Sequence, residues 1–406
     1  MAASSSLTVL VADALSPVAL DRLRDAGHTV VSEPALKGDA LADALAEHRP
    51  NVLLVRSTRV DAAALDASPA LELVVRAGAG VDSIAVDEAS RRGIYVANCP
   101  GKNAAAVAEL AMGLLLALDR RIPDNVQAAR EGRWDKKGFA QAAGLNGRTL
   151  GLVGLGAIGR GVAARARAMG MEVVAWSRSL TPDAAAAMGV RHAATPLDVA
   201  RQADAVSVHV ASTPDTRGLI DAAFVGAMPD GAALINTSRA DVVDEDAVGE
   251  AVRAGRLRYA TDVPAGEPAA KQGPFEHPLA AHPAVYITHH IGASTDEATE
   301  AIGQEAARVV LTYAETGEVP NVLNLAAQTP ASHLLTVRHL DRVGVLARVL
   351  DLARQAGWNV QEMDNIIFDG AEAACARIRF DGETDDDVRA AMEAVPDVLA
   401  VSILPL

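Results

Sequence analysis

Apolar positions fall in short runs that alternate with longer amphipathic stretches over most of the chain. Leu7–Ala12, Thr29–Ser32, Asn51–Val55, Leu71–Arg76 and Ile94–Ala97 read as strands. Pro17–Ala26, Leu41–Glu47 and Val60–Ala67 read as helices between them. Strands alternating with helices predict βαβ units, a parallel sheet and right-handed crossovers that wind a layer onto each face. Ala104–Leu118 is apolar nearly all round apart from Glu109, which predicts a buried helix lying between domains. A second alternating series then begins. Its strands are Arg148–Val153, Val173–Trp176, Ala205–His209, Ala232–Asn236, Tyr259–Val263 and Val285–Thr288. Its helices are Ile158–Met169, Pro196–Arg201, Glu245–Ala254 and Asp296–Glu315.

The pattern changes after Val319–Ser332, a stretch with two prolines that reads as a linker. Beyond it, Leu334–Arg338, Asn359–Ile367, Ala373–Phe380 and Val398–Leu404 read as strands, with helices at Gly344–Ala356 and Asp386–Val395. That order is βαββαβ, the ferredoxin-like split unit. At 406 residues, the chain has room for two or three domains.

Composition narrows the classes. Hydrophobic residues make up 50% and charged residues 22%, a globular balance. Aromatics are only 3%, so the core must rest on aliphatic side chains. Lys and Arg number 37 against 52 Asp and Glu, a net charge of −15. So acidic a chain is a poor nucleic-acid binder, and an anionic substrate would need a local cluster of cations. Cys99 and Cys375 are too few for a disulfide framework or a cysteine-rich metal site, and no metal is expected. Residues 1–6 show no basic-then-apolar leader, and no apolar run is long enough to span a bilayer. The expectation is a cytoplasmic protein without a membrane partner.

The strongest local motif is Gly154-Leu155-Gly156-Ala157-Ile158-Gly159, placed between a strand and a helix. Gly154 permits the tight turn, Gly156 admits a pyrophosphate to the backbone, and Gly159 lets helix and strand pack closely. The helix N-terminus offers unpaired N–H groups to phosphate. An acid about 20 residues on would bind the adenosine ribose of NAD. This chain has Ser177 and Arg178 there, a pair suited to a 2′-phosphate, so NADP stays open beside NAD.

Three further elements sit at predicted strand ends, where open α/β sheets place ligands. They are Asn236-Thr237-Ser238-Arg239, Asp262-Val263-Pro264-Ala265-Gly266-Glu267-Pro268 and Thr288-His289-His290-Ile291-Gly292-Ala293-Ser294-Thr295. Arg239 can hold a carboxylate bidentately and polarise a keto oxygen. His290 can move the hydroxyl proton, with Glu267 as its partner.

This constellation resembles the D-isomer-specific 2-hydroxyacid dehydrogenases from about residue 50 to 320. The match includes Val75-Arg76-Ala77-Gly78-Ala79-Gly80-Val81-Asp82, Asn98-Cys99-Pro100-Gly101-Lys102-Asn103 and Gly132-Arg133-Trp134. The resemblance implies an α/β fold of two doubly wound, Rossmann-like domains flanking a cleft. One would be built from residues 1–103 and 292–327 and would bind substrate; the other, 104–291, would bind the dinucleotide. It implies Arg239, Glu267 and His290 as the catalytic triad. Gly154, Gly156, Ala157, Ile158, Gly159, Ser177, Arg178, His209, Thr213, Thr237 and Asp262 would contact the cofactor. The substrate would meet Arg56, Ser57, Ala79, Gly80, Lys102 and Asn103. Four positions depart from the family pattern: Ala240-Asp241 replace two glycines, His289 replaces a proline and Pro264 replaces an aromatic.

The tail, 331–406, resembles an ACT domain, a regulatory module that often binds amino acids between paired copies. A dehydrogenase core with one such module resembles the short-form phosphoglycerate dehydrogenases. That implies oxidation of 3-phosphoglycerate, an L-serine effector contacted by His339, Asp341 and Asn359, and a homodimer or homotetramer. Two alternatives stay open: an NAD(P)H-dependent glyoxylate or hydroxypyruvate reductase, and a non-catalytic dinucleotide-sensing protein.

Overall fold

The structure, a computed structural model, describes residues 6–268 and 272–406. The leader reading at residues 1–5 lies outside them. The chain forms two compact units, one running to Asn324 and one from Leu325 to Leu406. Among the described residues no helix is long and apolar enough to cross a membrane, and no cluster of His, Cys, Asp and Glu could hold a metal ion.

The first unit contains two parallel sheets. Strands β1 (Thr8–Val11), β2 (Thr29–Ser32), β3 (Val52–Val55), β4 (Leu73–Arg76) and β5 (Tyr95–Asn98) line up in the order β2-β1-β3-β4-β5. Alternate side chains serve opposite faces, as a strand's period of two requires. Val9, Val11, Val52, Leu54, Leu73 and Val75 pack on one face, and Leu10, Leu53, Val55, Val74 and Val96 on the other. The first of these faces is covered by helix Pro17–Asp25 and by helix Asp296–Thr316, nearly 200 residues beyond the last strand of the sheet. The two helices are close: a Cβ added at Gly303 would lie 2.9 Å from the Ser16 Cβ and 3.1 Å from the Ala19 Cβ.

The second sheet comprises β6 (Thr149–Val153), β7 (Glu172–Trp176), β8 (Arg191–His192), β9 (Ala205–Val208), β10 (Ala232–Asn236), β11 (Leu257–Thr261) and β12 (Val285–Ile287). Its order is β12-β11-β10-β9-β6-β7-β8, so the chain reverses direction of growth between β6 and β9. Helix Ala104–Arg120 leaves β5 of the first sheet and packs on the second, against helix Ala157–Ala168. Ala108 lies so near Gly161 that an added Cβ would sit 3.1 Å away. The aliphatic-core expectation holds: after Tyr259, Phe224 and Phe380, the largest fully buried side chains among the described residues are leucines.

Several short elements escape the pattern reading: helices Val86–Arg91, Ile122–Arg130, Pro182–Ala187 and Ala222–Ala227, and the two-residue edge strand β8. All but Ile122–Arg130 are too short for periodicity to mark them, and that helix has few apolar positions to show a period. The linker reading also changes at its start. Val322 bridges Ala97 antiparallel, Leu323 N–H donates to Val96 O at 2.8 Å, and Val96 N–H donates to Asn324 Oδ1 at 2.8 Å. β5 is an edge strand with unpaired backbone groups, and residues 321–324 satisfy them.

The unit from Leu325 holds β13 (His333–Leu340), β14 (Asn359–Ile367), β15 (Ala373–Asp381) and β16 (Val398–Pro405), antiparallel in the order β14-β15-β13-β16. Helices Val345–Gln355 and Asp386–Glu393 complete the βαββαβ order. Phe380 is fully buried and stacks on Trp358 at 4.2 Å between ring centroids. Phe380→Ala should remove about 3–5 kcal/mol from this unit. Calorimetry should then show one early transition, with the transition of the first unit in place; a single unchanged transition would contradict the division.

Candidate active site

The glycine turn between β6 and helix Ala157–Ala168 is shaped by close approach. Gly154 has φ +102°, and a Cβ there would lie 2.5 Å from the carbonyl oxygen of His209. A Cβ at Gly159 would lie 2.2 Å from the Gly154 carbonyl oxygen. Gly156 is different: nothing lies within 4 Å of an added Cβ, so it faces open space at the helix N-terminus, which no side chain caps. The turn therefore leaves room and free donors for a phosphate where Ala157 and Ile158 begin the helix. This is the β6/β9 crevice, where the sheet reverses.

His209 and Thr237 border the same crevice. His209 Nε2 meets Ser207 Oγ at 2.8 Å and Nδ1 meets Thr237 Oγ1 at 3.4 Å. Burial pushes the His209 imidazole down to about 3, so it is neutral at physiological pH. Thr213 N–H donates to Thr216 Oγ1 at 2.8 Å, folding the next loop. At the end of β7, Ser177 is half-buried and Arg178 exposed.

His290 Nδ1–H donates to Glu267, at 2.8 Å to Oε2 and 3.0 Å to Oε1. That leaves Nε2 as the ring atom able to exchange a proton. The backbone of His290 is left-handed, φ +53°, which costs a non-glycine residue about 1–3 kcal/mol. Asp262 offsets this. Its buried carboxylate accepts from Thr288 Oγ1 at 2.6 Å, Ile291 N–H at 2.9 Å and Gly292 N–H at 2.8 Å, and its carbonyl accepts from His290 N–H at 2.9 Å. Asp262, expected at the cofactor, is thus engaged in holding the histidine turn.

Arg239 follows β10 and leans onto the loop after β4. Its Nε donates to Asp82 Oδ2 at 3.0 Å and its Nη1 to the Ser238 carbonyl at 2.7 Å. Gly80 lies close against the guanidinium: an added Cβ would come within 2.2 Å of Arg239 Nη2, so a larger residue would push it aside. Gly80 therefore faces the guanidinium from the loop after β4, and the Ala79 carbonyl accepts from Asn98 Nδ2 at 2.5 Å.

Beside this loop lies a cleft of about 670 Å³. Lys37, Arg56 and Arg76 line it together with Glu267, His289 and His290. Sequence reasoning named Arg76 only as part of a motif, and its chemistry emerges here. Burial lowers its pKa, and neighbouring Arg239 and Arg56 add to that. Its Nε is buried without a hydrogen-bond partner among the described residues. A desolvated cation beside two others is a strong anion seat.

Asp13, at the end of β1, was missed altogether. One of its oxygens, Oδ2, accepts from the N–H groups of Arg56 (2.7 Å), Ser57 (2.9 Å) and Thr58 (2.9 Å). Burial alone would raise its carboxyl, but these hydrogen bonds outweigh it and hold the pKa below the ordinary value. Ser57, expected to meet substrate, lines the cleft while donating its hydroxyl to Asp13 Oδ1 at 3.0 Å. Lys102 is also engaged, with Glu305 at 3.3 Å, and Asn103 is half-buried at the start of the long helix. Neither Lys102 nor Asn103 lines the cleft.

In the second unit His339 is buried, with Nδ1 2.7 Å from the Leu340 carbonyl and Nε2 3.2 Å from Asn365 Oδ1. Asp341 and Asn359 are exposed. His339 pairs with Ala374, which pairs with Ile367, whereas Asn359 pairs with Asp381. Asn359 and His339 therefore lie at opposite ends of the sheet, roughly 25 Å apart along the strand.

Residues 112–292 match the model of the D-isomer specific 2-hydroxyacid dehydrogenase NAD-binding domain. The TT0316 protein of Thermus thermophilus superposes with a TM-score of 0.70 at 34% identity, over 78% of this chain and 100% of that one. The chain belongs to the D-isomer specific 2-hydroxyacid dehydrogenases. Within that family, the D-3-phosphoglycerate dehydrogenase of Mycobacterium tuberculosis is 39% identical over 346 residues, 84% of this chain and 63% of that one. The chain spans less than two thirds of the length of the curated relatives it matches. The NADPH-dependent glyoxylate/hydroxypyruvate reductase of Sinorhizobium meliloti, solved with NADP and malonate, superposes at 0.66 with 29% identity, over 79% and 97% of the two chains. The glycine cradle fits the NAD that the family model names.

Two outcomes follow from this geometry. Gly159→Ala should weaken NADH binding roughly tenfold or more, because the methyl must displace the Gly154 carbonyl; an unchanged fluorescence titration would contradict that packing role. Hydrogen bonds from Arg308 and then Asn321 hold the Glu305 carboxyl down to about 2 from 4.5, against burial. Its stabilising effect is therefore present above pH 4.5 and lost as pH falls toward 2. Glu305→Gln should melt below the wild type at pH 7, with the gap closing over that acidic window.

Proposed function

We propose that the protein oxidises 3-phosphoglycerate to 3-phosphooxypyruvate with NAD, the reaction that opens L-serine synthesis. The observation that carries this reading is the cationic wall of Lys37, Arg56 and Arg76 facing a cleft that also holds His290 and Glu267. A net charge of −15 repels a small trianion at long range, so local cations must supply its affinity. The name of the Mycobacterium tuberculosis relative supports the same substrate.

Residues 1–103 and 292–327 bind substrate in this reading, 104–291 bind the coenzyme, and 331–406 regulate. Arg239 and the backbone of Ala79 and Gly80 take the substrate carboxylate, while Arg56 and Arg76 take the phosphate. Gly154, Gly156, Ala157, Ile158 and Gly159 hold the pyrophosphate of NAD, which when bound supplies the two-electron acceptor for the C2–H bond. His290 Nε2 removes the hydroxyl proton. Glu267, accepting from Nδ1–H, balances the charge that the ring then carries. Arg239 stabilises the carbonyl oxygen as it forms.

A second reading is an NADPH-dependent reductase of glyoxylate or hydroxypyruvate. Exposed Arg178 after Ser177, where an acid would select NAD, favours it, and so does the Sinorhizobium relative. For the tail, we read an ACT-like module that binds L-serine. Because Asn359 lies far from His339 and Asp341, a site using all three takes Asn359 from a second copy. The exposed edge strand β14, with Val360, Met363, Ile366 and Ile367 showing, suits such pairing in a homodimer or homotetramer. The setting is the cytoplasm.

Purified protein should reduce NAD when given 3-phosphoglycerate, and His290→Ala should lower kcat by about 10² or more. Arg76→Leu should raise the KM for 3-phosphoglycerate roughly 10- to 100-fold while sparing that for hydroxypyruvate. No turnover of phosphorylated acids, alongside rapid NADPH-driven glyoxylate or hydroxypyruvate reduction, would select the second reading.

A further inference from the structure

We infer that Glu245 is a positioning residue: its carboxylate closes the base of the loop that carries Glu267, and so sets Glu267 against His290. Glu245 is the first residue of helix Glu245–Arg253, and its side chain is 11% exposed. A single oxygen, Oε2, accepts from Ala265 N–H at 3.1 Å and from His277 Nε2–H at 2.9 Å. The other, Oε1, accepts from the hydroxyl of Tyr259 at 2.8 Å, at the centre of β11. Ala265 and His277 flank Glu267 in the sequence on either side, so one carboxylate oxygen ties together the two flanks of the segment that carries it.

The loop so closed supplies Glu267, Gln272 and Phe275 to the cleft. Phe275 stacks on the His277 ring at 5.9 Å, and the His277 side chain is only 4% exposed. The anchor is therefore rigid on three sides: a helix start, the middle of a buried strand and a packed imidazole. The helix N-terminus also favours a negative charge at that point. A glutamine offers one acceptor oxygen in place of two and would turn its amide N–H₂ toward at least one of these donors. Glu245 lines no part of the cleft; it acts through Glu267.

The inference rests on the acid–base reading of Glu267 and His290, and its test separates the two. In full-length protein, proton NMR should show a downfield imidazole N–H from the His290–Glu267 hydrogen bond, identified by its loss in His290→Ala. Glu245→Gln and His277→Leu should abolish or displace this resonance as Glu267→Gln does, and His277→Gln, which keeps a donor, should restore it. In turnover, Glu245→Gln and His277→Leu should lower kcat about 10- to 100-fold with KM within about twofold, and His277→Gln should recover most of the rate. An unmoved resonance in Glu245→Gln and His277→Leu, or a wild type lacking it, overturns the inference. Wild-type kcat in both variants does the same. Where Glu245→Gln fails to fold by circular dichroism, the two His277 variants decide. A wild type that turns over no 2-hydroxy acid defeats the reaction reading, while the resonance still judges the positioning role.

Discussion

A carboxylate taken out of water must have its oxygens hydrogen-bonded, or burial costs several kcal/mol. That constraint organises the mouth of this molecule. Parallel strands end in loops whose N–H groups have no ladder partner, and buried acids collect them. Asp13 gathers the loop after β3, Asp262 the histidine turn, and Glu245 both ends of the loop that carries Glu267. Each acid sits at the end of a strand or the start of a helix, and each fixes residues other than itself. Part of the excess of acidic residues is thus internal architecture rather than surface charge.

Cations take the complementary role. Lys102 and Arg308 meet Glu305, but Lys37, Arg56 and Arg76 are presented to the cleft. Arg76 is held over Gly78, where a Cβ would overlap its guanidinium, and its Nε is left without a partner among the described residues. A buried donor kept unsatisfied is unfavourable in isolation and becomes favourable when an anion arrives. The positive φ of His290 is a similar local strain, borne by the rigid turn around Asp262.

The frame that holds these groups is non-local. Helix Asp296–Thr316 covers a sheet formed by the first hundred residues, and helix Ala104–Arg120 leaves that sheet to pack on the other. Residues 321–324 then return to β5. The first sheet is therefore incomplete until the second has been made, and the two share one unit.

Much of this was legible in the chain itself. Short apolar runs located almost every long strand, and the spacing of Gly154, Gly156 and Gly159 announced the cofactor turn, because local sterics act between near neighbours. The alternation also foretold the βαββαβ tail. Partnership was not legible. Nothing around Asp13 signals that it folds residues 56–58, nor around Glu245 that it ties Ala265 to His277. Asp262 has the right chemistry for a ligand but holds the histidine turn, Ser57 lines the cleft with its hydroxyl turned to Asp13, and Asn359 stands a sheet's length from His339. Sequence alone determined the elements and the reaction-bearing residue types, which depend on local periodicity and spacing. Tertiary structure decided which polar groups remain free for a ligand, because that depends on which distant donors and acceptors the fold brings within about 3 Å of one another.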